Sequence, residues 1–199
     1  MWDVGHVLYD WDPKYLYQKL IPDPERLDWF LDHVVTKRWH FQHDAGRQLA
    51  DTVPELVAEH PSERHLIELY GPRWLETIPG PVPGTHEIVL ELADAGVPLF
   101  GITNFGAEFW SMFRPTAALF DLFEDVIVSG EEKMMKPDPA IWALAERRFG
   151  LQPSEIFFID DNPANIAGAR AAGWHAHRFL GADAARAALV LAGLLPRGG

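Results

Sequence analysis

The chain has 199 residues, 48% of them hydrophobic, which suits one α/β domain carrying a substantial insertion. It has no cysteine, so disulfides, thiolate catalysis and cysteine metal sites are excluded, and a net charge of −12 argues against nucleic acid and anionic lipid as partners. No apolar run approaches membrane-spanning length and no secretory apolar stretch precedes Asp3, so the expected location is cytoplasmic.

The chain opens on a stub, Met1-Trp2, ending in Asp3. So short a strand is either truncated or the continuation of a start lying upstream. From 13 to 79 the apolar residues follow helical spacing, as in Leu27, Phe30, Leu31 and Val34. Pro13, Pro22, Pro24, Pro54, Pro61 and Pro72 punctuate this stretch at expected helix starts. The pattern predicts an all-helical insertion, returned by the Pro/Gly linker at 79–84. Residues 1–12 and 80–199 would form the core.

Apolar runs follow at 97–102, 126–128 and 156–159, ending in Thr103-Asn104, Ser129-Gly130 and Asp160-Asp161. A fourth run, 174–179, follows Gly173, a residue suited to ending a helix. Helical patterns lie at 87–95, 140–149 and 164–172, and the alanine-rich stretch 182–195 reads as a closing helix with a frayed Pro-Arg-Gly-Gly end. Strands alternating with helices predict βαβ units and a parallel sheet.

Ligands bind at the carboxyl ends of such strands. Asp3 and the Asp160-Asp161 pair both fall there, and gathered carboxylates repel one another unless a cation sits between them. Hard divalent cations such as Mg²⁺ take oxygen ligands of this kind. A magnesium site built from these three acids is the first expectation.

Four motifs carry a resemblance that spans essentially the whole chain. They are Asp3-Val4-Gly5-His6-Val7-Leu8, Ile102-Thr103-Asn104, Lys136-Pro137-Asp138-Pro139 and Asp160-Asp161-Asn162. In this order they resemble the haloacid dehalogenase superfamily of aspartate-nucleophile hydrolases. The resemblance implies a Rossmann-like, three-layer core with a parallel sheet and a small helical cap inserted after the first strand. It makes Asp3 the nucleophile, Thr103 the strand-end hydroxyl and Lys136 the lysine that the third motif supplies. Mg²⁺ held by Asp3, the Gly5 carbonyl and Asp161 would bridge the attacking carboxylate and a phosphate dianion, with Asp160 holding a metal-bound water. Lys136 adds a second positive point, while the Thr103 hydroxyl and the Asn104 backbone N–H donate to phosphoryl oxygens. The three acids against Lys136 leave a formal charge of −2, which one Mg²⁺ balances.

Plainer roles compete. Thr103 or Asp161 could serve only as the N-cap of the helix that follows. Asn165 is either a partner of the acidic pair or an ordinary helix-surface asparagine. Lys133 reads as solvated.

One departure matters. In phosphatases of that family the residue two positions after the nucleophile is usually a second Asp that protonates the leaving alcohol; here it is Gly5. Either another residue protonates (His6, Asp10, Asp12, His40 or His43), or the leaving group is acidic, or the reaction releases halide. The last is the metal-free 2-haloacid dehalogenase reading, which wants an arginine for the substrate carboxylate; Arg38 and Arg47 are the candidates. Two carboxylates beside the nucleophile make poor sense there without a cation. A third reading is a catalytically silent relative that binds a phosphorylated ligand.

Specificity is expected from 39–47, where Trp39 and Phe41 would wall the pocket and His43 or Arg47 would meet the polar end of the substrate; the alternative is that Trp39 packs the cap interior. Trp11, Trp29, Trp74 and Trp110 read as core or hinge residues. The expected partner is a small molecule, a phosphomonoester or a 2-haloacid, and the oligomeric state, monomer or homodimer, stays open.

Overall fold

The computed structural model describes residues 1–196. Two pairs of parallel strands form its sheet. β1 (Phe100–Thr103) pairs with β2 (Asp125–Val128), and β3 (Phe157–Asp160) pairs with β4 (His175–Arg178). The N-terminal stub lies between the two pairs. Trp2 bridges Gly101 on one side and Ile159 on the other, both in parallel sense. Its N–H donates to Phe100 O at 2.9 Å, and Asp3 N–H donates to Ile159 O at 2.9 Å. The order across the sheet is therefore β4, β3, stub, β1, β2. Three residues suffice for a central strand because ladder bonds hold them on both edges.

Side chains along a strand alternate between faces, and two apolar clusters follow that alternation. Ile102, Ile127 and Phe158 face one cluster, which Trp142 and Ile166 complete. Trp2, Val128 and Ile159 face the other. A sheet buried on both sides is the expected environment of parallel strands, and it makes three layers.

The stretch between stub and linker holds helices and no strand among the described residues. These are α1 (Lys14–Tyr17), α2 (Pro24–His33), α3 (Lys37–Asp44), α4 (Leu49–Glu59) and α5 (Arg64–Ile67). Thr36 starts α3 by accepting from the Trp39 amide at 3.0 Å. Pro24 occupies the first turn of α2 as expected, but Pro54 lies inside α4, where it leaves the Ala50 carbonyl without its usual donor. Leu16, Tyr17, Phe30 and Tyr70 from this stretch join the cluster on the Trp2 face, so the helical segment and that face share one interior.

The remaining helices are α6 (Thr85–Asp94), α7 (Ala107–Phe113), α8 (Ser129–Glu132), α9 (Pro139–Phe149), α10 (Pro163–Ala171) and α11 (Ala182–Leu191). Each of the four strands falls within three residues of its expected boundaries. The closing helix stops at Leu191, and its expected frayed end lies, from Arg197 on, outside the described residues. No described helix is long and apolar enough to cross a membrane.

Candidate active site

Asp3, Thr103 and Asp160 all stand at the carboxyl edge of the sheet because the stub, β1 and β3 run parallel and end together. Lys136 arrives from the loop before α9. Its Nζ lies 2.9 Å from Asp3 Oδ1 and 2.6 Å from Asp160 Oδ2, with none of the lysine side chain exposed. The Asn104 side chain fixes that loop by accepting from Lys136 N at 2.8 Å and donating to Lys136 O at 2.9 Å.

Asp160 has no exposed surface and no spare capacity. It accepts from Lys136, from the Asn162 amide at 2.8 Å and from Asn165 Nδ2 at 3.1 and 3.0 Å. Asn165 is thus buried against the acidic pair. Asp161 stays half-buried, and oxygens of Asp3, Asp160 and Asp161 lie within 4.8 Å of one another. Neither plain capping role is realised. The N-cap of α10 is Asn162, whose side chain accepts from Ala164 N, and the N-cap of α7 is Gly106. Instead the Thr103 hydroxyl is buried with no hydrogen-bond partner.

Burial pushes the Asp3 carboxyl up to about 7; Lys136 opposes that rise and Asp160 adds to it. Burial alone would lower Lys136, yet Asp3 and Asp160 together hold it above its ordinary value. Asp161 is also raised, by burial and then by Asp160. Three crowded carboxylates facing one lysine are short of positive charge. As a cluster of hard oxygen donors, they fit a divalent cation such as Mg²⁺.

Above this edge opens a cavity of about 370 Å³. Asp3, Gly5, His6, Asn104, Lys136 and Asp161 line its floor, and Trp11, His40, Phe41, Asp44 and Trp74 line the helical side. Of the four residues expected to bind substrate, only Asn104 lines it, with its side chain committed to Lys136.

Trp39, His43 and Arg47 lie elsewhere, and helix phase is the reason. Trp39 and His43 are four apart on one face of α3, packed together at 4.9 Å, and both ring nitrogens of His43 are occupied, by His40 O and Thr52 Oγ1 at 2.7 Å each. The next face, one residue on, carries His40 and Asp44 into the cavity. Arg47 follows the helix on the surface, bound to Glu55 and Gln42 at 2.6 Å. Phe41 does reach the wall, as expected.

Sequence reasoning missed Trp11 and Trp74 as wall residues and gave Asp44 no role. Trp29, expected inside, is 42% exposed. A signal for Asp44 existed: it stands four residues after His40, on the same face. Its carboxyl is only 5% exposed, Oδ1 has no hydrogen-bond partner, and burial pushes it up to about 8.

Comparison with known proteins supplies the family. The haloacid dehalogenase-like hydrolase profile matches residues 8–173, most of the chain. That match begins after Asp3, so the place of Asp3 in the site rests on geometry. The chain is 32% identical to the phosphoglycolate phosphatase of Pectobacterium atrosepticum over 87 residues, 44% of this chain and 37% of that enzyme. It is 28% identical to the (S)-2-haloacid dehalogenase of Xanthobacter autotrophicus over 98 residues, 49% and 38% of the respective lengths. The chain thus spans less than half the length of either curated relative. Among solved structures, a haloacid dehalogenase family enzyme of Bacteroides thetaiotaomicron in magnesium complex superposes with a TM-score of 0.68 at 20% identity, covering 89% of this chain and 90% of that one. With its parallel sheet, strand-end acids and buried lysine, the chain belongs to the haloacid dehalogenase-like hydrolases.

Proposed function

We propose that this protein is a Mg²⁺-dependent phosphatase of a small, uncharged alcohol, working through an aspartyl-phosphate, with 13–79 as its cap. The observation that carries the reading is the approach of three carboxylates to within 4.8 Å around a single lysine. Asp3, Asp161 and the Gly5 carbonyl would hold the cation. When bound, it supplies the positive charge that lets a carboxylate approach a phosphate dianion.

The chain's own residues account for the rest. Asp3 attacks phosphorus in line. Lys136 favours the ionised form of Asp3 against the effect of burial and orients it, and Asp160 with Asn104 holds Lys136. The unpartnered Thr103 hydroxyl donates to a phosphoryl oxygen, an interaction strengthened in a dry site. Trp11, Phe41 and Trp74 enclose the leaving group and exclude water.

The same wall argues against a carboxylated substrate. No arginine lines the cavity among the described residues, and its one lysine already serves two carboxylates. A 2-haloacid would bring its carboxylate into this acidic cavity unpaired, so the dehalogenase reading is the weaker one.

Incubation with p-nitrophenyl phosphate and Mg²⁺, and separately with 2-chloropropionate without metal, tests this. Phosphate release that EDTA stops and added Mg²⁺ restores is expected, and Asp3→Asn should lower it by at least about 10³-fold. Chloride release insensitive to EDTA would establish the dehalogenase reading instead. Neither product from folded protein would leave a ligand-binding relative.

A further inference from the structure

We propose that Asp44 protonates the leaving alcohol, reaching the site from α3 in place of the acid absent at position 5; this rests on the phosphatase reading above. An alkoxide is a poor leaving group, and a positioned acid typically contributes ~10²–10⁴-fold. In an in-line displacement the leaving oxygen departs opposite the attacking one. With Asp3 on the floor, that oxygen faces the helical side of the cavity, where Asp44 stands.

The rivals are placed otherwise. Asp10 accepts from the Tyr15 hydroxyl at 2.5 Å and Trp11 N at 2.8 Å, Asp12 accepts from Lys14 N at 2.8 Å, and neither lines the cavity. His43 has both ring nitrogens occupied. The Nδ1 of His40 is engaged by the Tyr70 hydroxyl at 2.7 Å, and burial keeps that ring neutral. His6 lies on the floor, with its side chain 44% exposed and facing Asp10 at 3.5 Å.

Asp44 is held where the proton is needed. The Ser129 hydroxyl donates to its backbone carbonyl at 2.6 Å, tying the end of α3 to the core. Glycine permits that close approach: a Cβ on Gly106 would stand 3.1 Å from His43 Cβ. The unpartnered Oδ1 is free to carry and deliver a proton. Burial, reinforced by Asp3, raises this carboxyl toward its proton-carrying form, although the Gly106 amide and Lys136 pull the other way.

The step balances. As the Asp3 oxygen bonds to phosphorus, the bond from phosphorus to the leaving oxygen breaks, and its electron pair takes the Asp44 proton. The Asp44 carboxylate then accepts a proton from the water that hydrolyses the aspartyl-phosphate, which restores the acid.

The test compares an alkyl phosphate such as glycerol 2-phosphate with p-nitrophenyl phosphate, whose leaving group needs little protonation. Asp44→Asn should lower kcat on the alkyl ester by ~10²–10⁴-fold. On the aryl ester the loss should stay under roughly tenfold, since departure of that group depends little on a proton. Position 5 offers a rescue, because a Cβ there meets nothing within 4 Å. Adding Gly5→Asp to Asp44→Asn should recover much of the alkyl activity. Parallel loss on both esters with native circular dichroism, or no loss on the alkyl ester, overturns the proposal. So does selective alkyl loss in His6→Gln but not in Asp44→Asn. Should Asp44→Asn fail to fold, the wild-type enzyme decides: kcat/KM nearly independent of leaving-group basicity supports a proton donor, and a steep dependence overturns it. A wild-type protein inactive on both esters with Mg²⁺ removes the phosphatase reading, and this inference with it.

Discussion

On the floor of the cavity, Asp3, Lys136 and Asp160 form a closed ionic network, with Asn104, Asn162 and Asn165 filling the remaining hydrogen bonds. The helical wall facing it is aromatic, and three of its polar atoms, Asp44 Oδ1, Trp11 Nε1 and Trp74 Nε1, are buried with no partner. The charges of the floor are paired before any ligand arrives, with only the Thr103 hydroxyl and the Asn165 carbonyl left over beside them, while the wall holds its one buried carboxyl unpaired. That division suits a phosphatase in which the sheet provides the transfer chemistry and the helices select and protonate the departing alcohol.

The sharpest way to break this contrast is Lys136→Met. It would leave Asp3 and Asp160 buried without their shared cation, and removal of one partner from a buried ion pair costs about 3–5 kcal/mol. A loss of that size in the unfolding free energy from urea titration at pH 7 is expected, with partial recovery on adding Mg²⁺. A loss below about 1 kcal/mol, the worth of a surface pair, would mean the floor is not a rigid network after all.

A smaller effect separates the wall from the floor. The folded-state carboxyl of Asp44 is raised from 3.8 to about 8, chiefly by burial. The unfolded chain therefore gives up this proton first as pH rises, and the stability present at low pH is lost progressively up to the folded value. From this group the slope is up to ~1.4 kcal/mol per pH unit. His40 on the same helix, with Nε2 3.9 Å away, is kept neutral by burial and offers Asp44 no compensating charge. Asp3 and Lys136 face it from the core in both proteins. Thermal midpoints between pH 5 and 8 should show wild type losing ground to Asp44→Asn as pH rises. Parallel curves would show that Asp44 is already ionised and unsuited to its proposed role.

The floor was legible in the sequence and the wall largely was not, for a physical reason. Strand-end acids announce themselves: an apolar run fixes the strand, and the parallel sheet fixes which end its polar residues occupy. Asp3, Thr103 and Asp160 stand where that logic puts them, whereas Lys136, on the loop before α9, was found only through the resemblance of its motif. A helix rotates about 100° per residue, so a one-residue error in phase exchanges the inward and outward sets. The stretch 39–47 does contribute to the cavity lining, yet Trp39 and His43 were expected there and His40 and Asp44 line it instead. Trp11 is different again. Its place depends on how the segment after the stub folds beneath α3, where it packs at 4.4 Å from the His40 ring, and no local pattern encodes that.

The smallest expected effect tests whether the wall ends where the structure puts it. Arg47 was, with Arg38, one of the sequence's two candidates to hold a substrate carboxylate, but neither lines the cavity, and the Arg47 guanidinium is bound to Glu55 and Gln42 on the surface. The Arg47 and Glu55 side chains are 42% and 56% exposed, and such pairs are worth about 0–1 kcal/mol. Arg47→Ala should therefore change kcat/KM by less than about twofold and lower stability by no more than that pair is worth. Phe41→Ala, which opens the aromatic wall, should instead raise KM for an uncharged alcohol phosphate. A rise in KM on Arg47→Ala, confined to carboxylated phosphates, would mean that α3 turns its surface cation inward when substrate binds. The preference for uncharged alcohols would then fall, while the ionic floor beneath it would stand.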